Sequence, residues 1–423
     1  MSTSQRKSIT TPAPGLLVYD IDKKTIFLFD GTQWLPMMVA TNGTNTIPET
    51  IIPTQVQEQA GSSVDVSGNY AIVGARTADQ NRGAAYIYFK QNGTWTQQAK
   101  LTASDAAIDD IFGYSVAING DWAVVGAPYD DILSGPPIII NHTDRGSIYI
   151  FQRNGTTWTQ TAKLTSTTVA SQINYGISVA MDGDRLIVGA YIDNDNGAAY
   201  IYQRSGNLWA LQQRIFATDG AFADRFGGSV DIHGNYAIVG AVNADNSGNS
   251  SVGAAYIFFN NGITWSMQQK VGGSDLTDNY GIAVAITDTL ALVGSSNTQV
   301  NSLGQHGIVV AYRRNTTTWS NIGTLDVPDG IATAAIGSSI AIDGELAIVG
   351  APNGFGTFAG QGTCYVYQYI DRDWRYQHKI NESQGMAGAF GFSVATDGLH
   401  IIIGNPNRGG SIGAGGVAIV SCD

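Results

Sequence analysis

The sequence predicts an all-β fold, a seven-bladed β-propeller of four-stranded antiparallel blades, and three observations carry that expectation. A glycine-centred phrase recurs seven times, each recurrence is followed by the makings of four strands, and a tryptophan marks the same place in successive copies. Aligned on its glycine, the phrase reads AGSSVDVSGNYAIVGA at Gly61, FGYSVAINGDWAVVGA at Gly113, YGISVAMDGDRLIVGA at Gly176 and FGGSVDIHGNYAIVGA at Gly227. It continues as YGIAVAITDTLALVGS at Gly281, IGSSIAIDGELAIVGA at Gly337 and FGFSVATDGLHIIIGN at Gly391, with intervals of 52, 63, 51, 54, 56 and 54 residues. A period of about fifty residues marks a repeat architecture, so the 423 residues form one array and not two or three unrelated domains.

The strands follow from each copy. In the second, SVAI and WAVVGA flank the tight turn NGD, and GSIYIF and WTQTAKL flank QRNGTT. The second strand is almost continuously apolar, the signature of a strand covered on both faces. Its glycine and alanine leave room for a neighbouring sheet to come close. Trp95, Trp158, Trp209, Trp265, Trp319 and Trp374 open the fourth strands, each 16 to 18 residues before the next repeat glycine.

Trp34 stands 27 residues before Gly61, and the last repeat ends at GGVAIVSCD with no fourth strand of its own. Two readings of residues 1–56 follow. The segment around Trp34 supplies the missing outer strand and closes the ring, which removes exposed edges, or LLVYDIDKKTIFLFDGTQW is a hairpin of its own that serves as an attachment element. Residues 57–423 are the propeller.

Composition narrows the function classes. A net charge of −12 argues against nucleic acid or an anionic membrane as the main partner. The two cysteines, Cys364 and Cys422, sit at different strand positions and are not expected to pair. No apolar stretch follows the basic residues of MSTSQRKSITTPAPG, and no run of 18 apolar residues occurs, so neither a classical signal peptide nor a membrane span is expected. The histidines 142, 233, 306, 378 and 400 are scattered, and HExxH and GxSxG patterns are missing, so no catalytic residue is assigned and the chain is read as a non-enzyme.

The FG and GAP elements, present as FG at Phe112, Phe226 and Phe390 and as GAP at Gly126 and Gly350, resemble FG-GAP repeats, the units of integrin-α-like seven-bladed propellers. The resemblance implies the fold and a habit of binding, not a particular ligand. Calcium-binding members carry a DxDxDGxxD-type loop, whereas here the first two strands meet in SGN, NGD or DGE, turns too short to surround an ion. No cofactor or metal is therefore expected. DNDNG at Asp193 to Gly197 reads as a polar turn, with a weak cation site, for calcium, as the alternative.

In an up-and-down blade the first-to-second and third-to-fourth turns share one face of the ring, and here they are uniformly tight. The second-to-third loops share the other face and vary, from RTADQNR and YIDNDN to the insertion from Tyr129 to Arg145 with its apolar PPIII core. Length variation on one face is where a repeat protein displays a binding surface. The candidate ligand-binding residues there are Tyr129, Asp130, Asp131, His142, Tyr191, Asp193, Asp195, Asn243, Asp245 and His306. The insertion is expected to pack on a neighbouring blade or to meet a partner. Acids in the links between blades, Asp105, Asp219 and Asp275, are read as turn caps, and the NGT triplets at Asn42, Asn92 and Asn154 chiefly as turn chemistry.

The expected function is recognition of a glycan or protein ligand through the variable face, as in an extracellular, cell-surface or particle-associated adhesion module. The alternative is a structural or adaptor subunit of a surface fibre, phage tail or injection particle, joined to other subunits through the N-terminal segment.

Overall fold

The computed structural model describes residues 58–133, 141–142, 144–168, 172–246, 248–273, 279–298, 306–325, 327, 333–354, 360–382, 388–408 and 415–422 of the repeat region. Of the N-terminal region it describes residues 2, 5, 6, 8–10, 12, 13, 16–20, 25–29, 34–37 and 49–51. The chain divides into two compact units, Met1–Ile47 and Pro48–Asp423.

The larger unit is a seven-bladed β-propeller, each blade a four-stranded antiparallel sheet. Blade II shows the pattern: Ser115–Asn119 innermost, then Trp122–Ala127, Ser147–Asn154 and Thr157–Thr165 outermost, each paired to the next. The blades I to VII start their repeats at Gly61, Gly113, Gly176, Gly227, Gly281, Gly337 and Gly391. In blades I to VI the third and fourth strands slip past one another at a bulge, as between Ile150 and Phe151, which adds to the twist each blade needs.

Apolar side chains are buried between blades, not within them, because a single sheet has no second layer of its own. Ile72, Ala85 and Ile87 of blade I pack on Val116, Ala123 and Tyr149 of blade II, and a similar layer fills every later junction. The seventh layer joins Ile402 and Ile419 of blade VII to Val73 and Tyr86 of blade I. The phenylalanine of the repeat is part of this packing: Phe112, Phe226 and Phe390 are buried, and Phe112 meets Tyr149 edge-on at 5.4 Å.

The innermost contact is made by backbone. A Cβ on the second-strand glycine would lie 2.2 Å from the next blade's repeat-glycine carbonyl oxygen at Gly74, 2.1 Å at Gly126, 2.0 Å at Gly240 and 2.1 Å at Gly350. The ring closes with the same contact, Gly404 against the Gly61 carbonyl, where the corresponding distance is 2.1 Å. The repeat serine then donates its hydroxyl to that same carbonyl: Ser115 to Gly176 at 2.7 Å, Ser229 to Gly281 at 2.8 Å, Ser393 to Gly61 at 2.9 Å. At the rim the tryptophans tie blades together. The indoles of Trp158, Trp265 and Trp319 each donate at 2.9 Å to a glutamine on the outer strand of the preceding blade.

The closing strand is not the segment around Trp34. Glu49–Ile51 pairs with Val417–Ser421 and supplies the fourth strand of blade VII. Trp34 instead begins the third strand of the smaller unit, a three-stranded antiparallel sheet of Leu17–Asp20, Thr25–Phe29 and Trp34–Met37. Thr25–Phe29 pairs on both sides within that sheet, and the strand that closes the ring carries no tryptophan to mark it. Cys364 is buried, Cys422 is exposed, and no disulfide joins them.

The glycine contact makes a graded prediction. Gly240→Ala should lower stability by about 2–3 kcal/mol, because backbone cannot yield to the new methyl as a side chain could, whereas Ser229→Ala should cost about 1 kcal/mol for one hydrogen bond. Gly404→Ala should match Gly240→Ala in urea unfolding. A Gly404→Ala midpoint equal to that of the unsubstituted protein would mean that the first and last blades do not meet as described.

Candidate functional site

The innermost strands enclose a cavity of about 350 Å³, lined by residues 64–67, 116–119, 179–182, 230–233, 284–286, 340–343 and 394–397. Towards the tight turns the wall carries Asp65, Asp182, Asp231, Asp343 and Asp397, with His233 and Asn119 among them. Four of these carboxylates bind the backbone of the next blade. Asp65 accepts from the Ile118 amide, Asp182 from Gly234 and Asp231 from Ile286, each at 2.7 Å, and Asp397 accepts from Gly68 at 2.8 Å across the closure. Asp65 and Asp231 also accept from the amides of Val66 and Ile232, so both oxygens of each are engaged. Among the described residues no group of three His, Cys, Asp or Glu side chains could hold a metal. This end of the channel holds the ring together.

Burial dominates the titration of Asp65, Asp231 and Asp343. It pushes the carboxyls of Asp65 and Asp231 up to about 7 against the opposing pull of the two amide hydrogen bonds each accepts. Asp343 is raised in the same way, with Asp397 adding to it.

The opposite mouth, on the variable-loop side, is aromatic and basic. The inner strands begin there, so the residue after each repeat glycine lies at the rim: Tyr114 in blade II and Phe392 in blade VII. The second strands end there too, which brings Arg76, Tyr129 and Tyr191 to the same rim. The Arg76 guanidinium lies 5.8 Å from the ring centroids of both Phe392 and Tyr114. Tyr114 meets Tyr129 edge-on at 6.3 Å, Tyr129 is in electrostatic contact with Tyr191, and Arg225 lies 5.8 Å from the Tyr191 ring. Burial raises the Tyr191 phenol above its ordinary pKa, the Tyr129 and Tyr114 phenols add to this, and Arg225 opposes them. Tyr114 is raised by burial and by Tyr129, with Arg76 opposing.

Comparison with known proteins agrees with this architecture. The FG-GAP repeat model matches residues 57–88, 95–151, 158–202 and 209–258, four places within the ring. The chain carries FG-GAP repeats in those four places. Residues 1–48 match a second model, the phage tail like trimerisation region. The crystal structure of the Saccharomyces cerevisiae Sqt1 is similar at a TM-score of 0.46 and 12% identity, over 84% of this chain and 82% of that one. No curated protein matches.

Of the residues that the sequence places on the variable face of this FG-GAP propeller, the structure brings Tyr129 and Tyr191 together at the mouth. Two of the acids lie inside. Asp130 is buried between Ser147 and Lys163, and Asp193 is fully buried, accepting from Tyr200 and, at 3.0 Å, from Arg214. His306 is also buried. The remainder hold loops. Asp131 accepts from the Asp144 amide at 3.0 Å, the Asp195 carbonyl from the Ala223 amide at 2.8 Å and Asp245 from the Ser251 amide at 2.8 Å, while Asn243 donates to the Ala223 carbonyl at 3.0 Å. The backbone of His142 pairs with Ile132 in a small hairpin, and its side chain lies outside the described residues, as does the PPIII run.

The link acids of the FG-GAP repeats also differ from expectation. Asp105 binds Tyr149 at 2.9 Å and Lys163 at 2.7 Å, and Asp219 binds Lys270 at 2.6 Å, so these are clamps from link to blade. Burial acts to raise Asp105, but the bonds from Lys163 and Tyr149 outweigh it and leave its carboxyl below the ordinary range. In these two links the turns are capped by the last acid, Asp110 to the Ala107 amide at 2.6 Å and Asp224 to the Ala221 amide at 2.8 Å. Asp275 lies outside the described residues. Sequence reasoning missed Arg76, Tyr114, Arg225 and Phe392; the available signal was a large or charged residue beside a repeat glycine or at the end of VGA.

The channel wall predicts a pH dependence. Because the folded-state pKa of Asp65 and Asp231 lies above the unfolded value near 3.9, their contribution is full below about pH 4 and is lost as the pH rises through about 7. The melting temperature should therefore fall between pH 5 and pH 8, and the slope should flatten in the Asp65→Asn, Asp231→Asn double variant. An identical slope in that variant would assign the pH dependence to other groups.

Proposed function

We propose that this chain is a non-enzymatic recognition subunit of a trimeric surface or phage-tail-like particle. The N-terminal unit joins three copies, and each propeller turns its variable-loop face to a glycan or protein ligand outside the cell. The observation that carries the reading is the coincidence of two boundaries: the match to a phage tail like trimerisation region covers residues 1–48, and the same stretch, Met1–Ile47, forms a compact unit separate from the ring.

The surface of that unit supports the reading. Along the strand Leu17–Asp20, Val18 is buried and Leu17 and Tyr19 are more than half exposed on the other face. Leu16 adds to the exposed apolar area. In the trimer these residues are covered by the other two copies, since exposed apolar clusters of this kind mark association surfaces. The ring, in which every blade including the first and last is packed against its neighbours, buries its own apolar faces, which leaves its variable face available for a ligand.

The solution mass of the full-length protein tests this. It should be about three times the 44.7 kDa of one chain, and Leu17→Asp with Tyr19→Asp should reduce it to the single-chain value while leaving the melting of the propeller unchanged. A single-chain mass for the unsubstituted protein across micromolar concentrations would overturn the trimeric reading.

A further inference from the structure

The arc at the variable-loop mouth crosses five blades in an unbroken series: Phe392 of blade VII, Arg76 of blade I, Tyr114 and Tyr129 of blade II, Tyr191 of blade III and Arg225 at the entry to blade IV. We infer that this arc binds an anionic saccharide, a pyranose carrying a carboxylate, with Arg76 and Arg225 receiving the carboxylate and the tyrosines the sugar ring. The inference rests on the recognition reading above and gives it a site and a ligand class.

The two arginines differ from their neighbours. Lys163 pairs with Asp105 and Asp130, Arg214 with Asp193 and Lys270 with Asp219. Among the described residues neither Arg76 nor Arg225 pairs with a carboxylate. Arg76 donates Nε to the Gln59 side chain at 3.0 Å, which fixes the guanidinium plane and leaves its terminal nitrogens directed elsewhere, and Arg225 is exposed beside the Tyr191 ring. In a chain of net charge −12, two cations on one rim with no carboxylate partner among the described residues are where an anion would be held, and a guanidinium matches a carboxylate with two parallel hydrogen bonds.

Ring chemistry selects a sugar. One face of a pyranose presents C–H groups that stack on an aromatic ring, and its hydroxyls pair with a phenol that both donates and accepts. Tyrosines held by ring contacts supply such area at little entropic cost. An extended acidic peptide would gain by adding a strand, and that route is closed along the inner edge of blade II. The amides of Val116 and Ile118 are taken by Ser63 and Asp65, at 2.8 and 2.7 Å.

The test titrates the full-length protein with oligosaccharides ending in glucuronic or sialic acid, with their methyl esters and neutral parents, and with a polyglutamate peptide. The acid-bearing sugars should bind, and the ester and neutral forms should bind at least about 10-fold more weakly. Arg76→Gln and Arg225→Gln should each weaken binding by a similar factor with an unchanged melting temperature, and added salt should weaken it further. Equal binding of the neutral parents, or polyglutamate binding as tightly, would overturn the ligand class. Acid-sugar binding that survives the double Arg76→Gln, Arg225→Gln variant would overturn the site while leaving recognition by the variable face intact. No saccharide binding by a protein of threefold mass would overturn the inference and leave the trimeric subunit standing.

Discussion

The propeller depends on one backbone contact made seven times, a second-strand glycine against the carbonyl of the next repeat glycine. Sheets pack face to face at about 10 Å when side chains separate them, and a ring of seven needs its blades to converge far closer than that at the axis. Glycine at this point of the second strand permits the approach, and the repeat glycine, at φ near +90° in most copies, turns its carbonyl to meet it. The larger residues come in further out: Phe112 and Tyr149 fill the junction, and Trp158 braces the rim. Each blade is therefore a wedge, narrow where the sequence reads VGA and wide where it reads tryptophan.

That wedge separates the two faces by function. At the tight-turn end the inner strands are linked from blade to blade by carboxylates that accept backbone amides, as Asp65 does from Ile118 and Asp397 from Gly68. These groups are already satisfied and serve the ring. At the other end the strands begin and end in residues that the blade core does not use. Arg76, Tyr114, Tyr191 and Arg225 contact one another there, where nothing in the packing of the blades demands an arginine or a tyrosine. A binding surface can vary at that rim without disturbing the contacts below it.

The division of labour extends to the acids, and here residue type alone misleads. Asp130 and Asp193 look like surface carboxylates of polar loops, yet each is buried against a cation, Lys163 or Arg214, that the outer strand brings over the loop. An unpaired buried charge would be costly, so these pairs anchor the variable loops to the blade beneath. A loop fixed at its base by an ion pair and a tyrosine hydroxyl can hold a neighbouring ring such as Tyr191 in place.

The sequence by itself determined the blade count, the four strands in each blade, the face on which loops vary, and Tyr129 and Tyr191 as candidates. All of these are local: a strand pattern, a turn and a loop length are written in consecutive residues and repeat with a period. Only the tertiary structure decided which strand closes the ring, because Glu49–Ile51 is three residues without a marker and its partner, Val417–Ser421, is more than 360 positions away. The same holds for the mouth. Phe392 and Arg76 stand at opposite ends of the repeat array, and each reads in its own repeat as an ordinary neighbour of a structural glycine or alanine. They meet because the ring closes, and although the missing fourth strand of the last repeat signals closure, nothing in the spacing around either residue says which side chains it brings together.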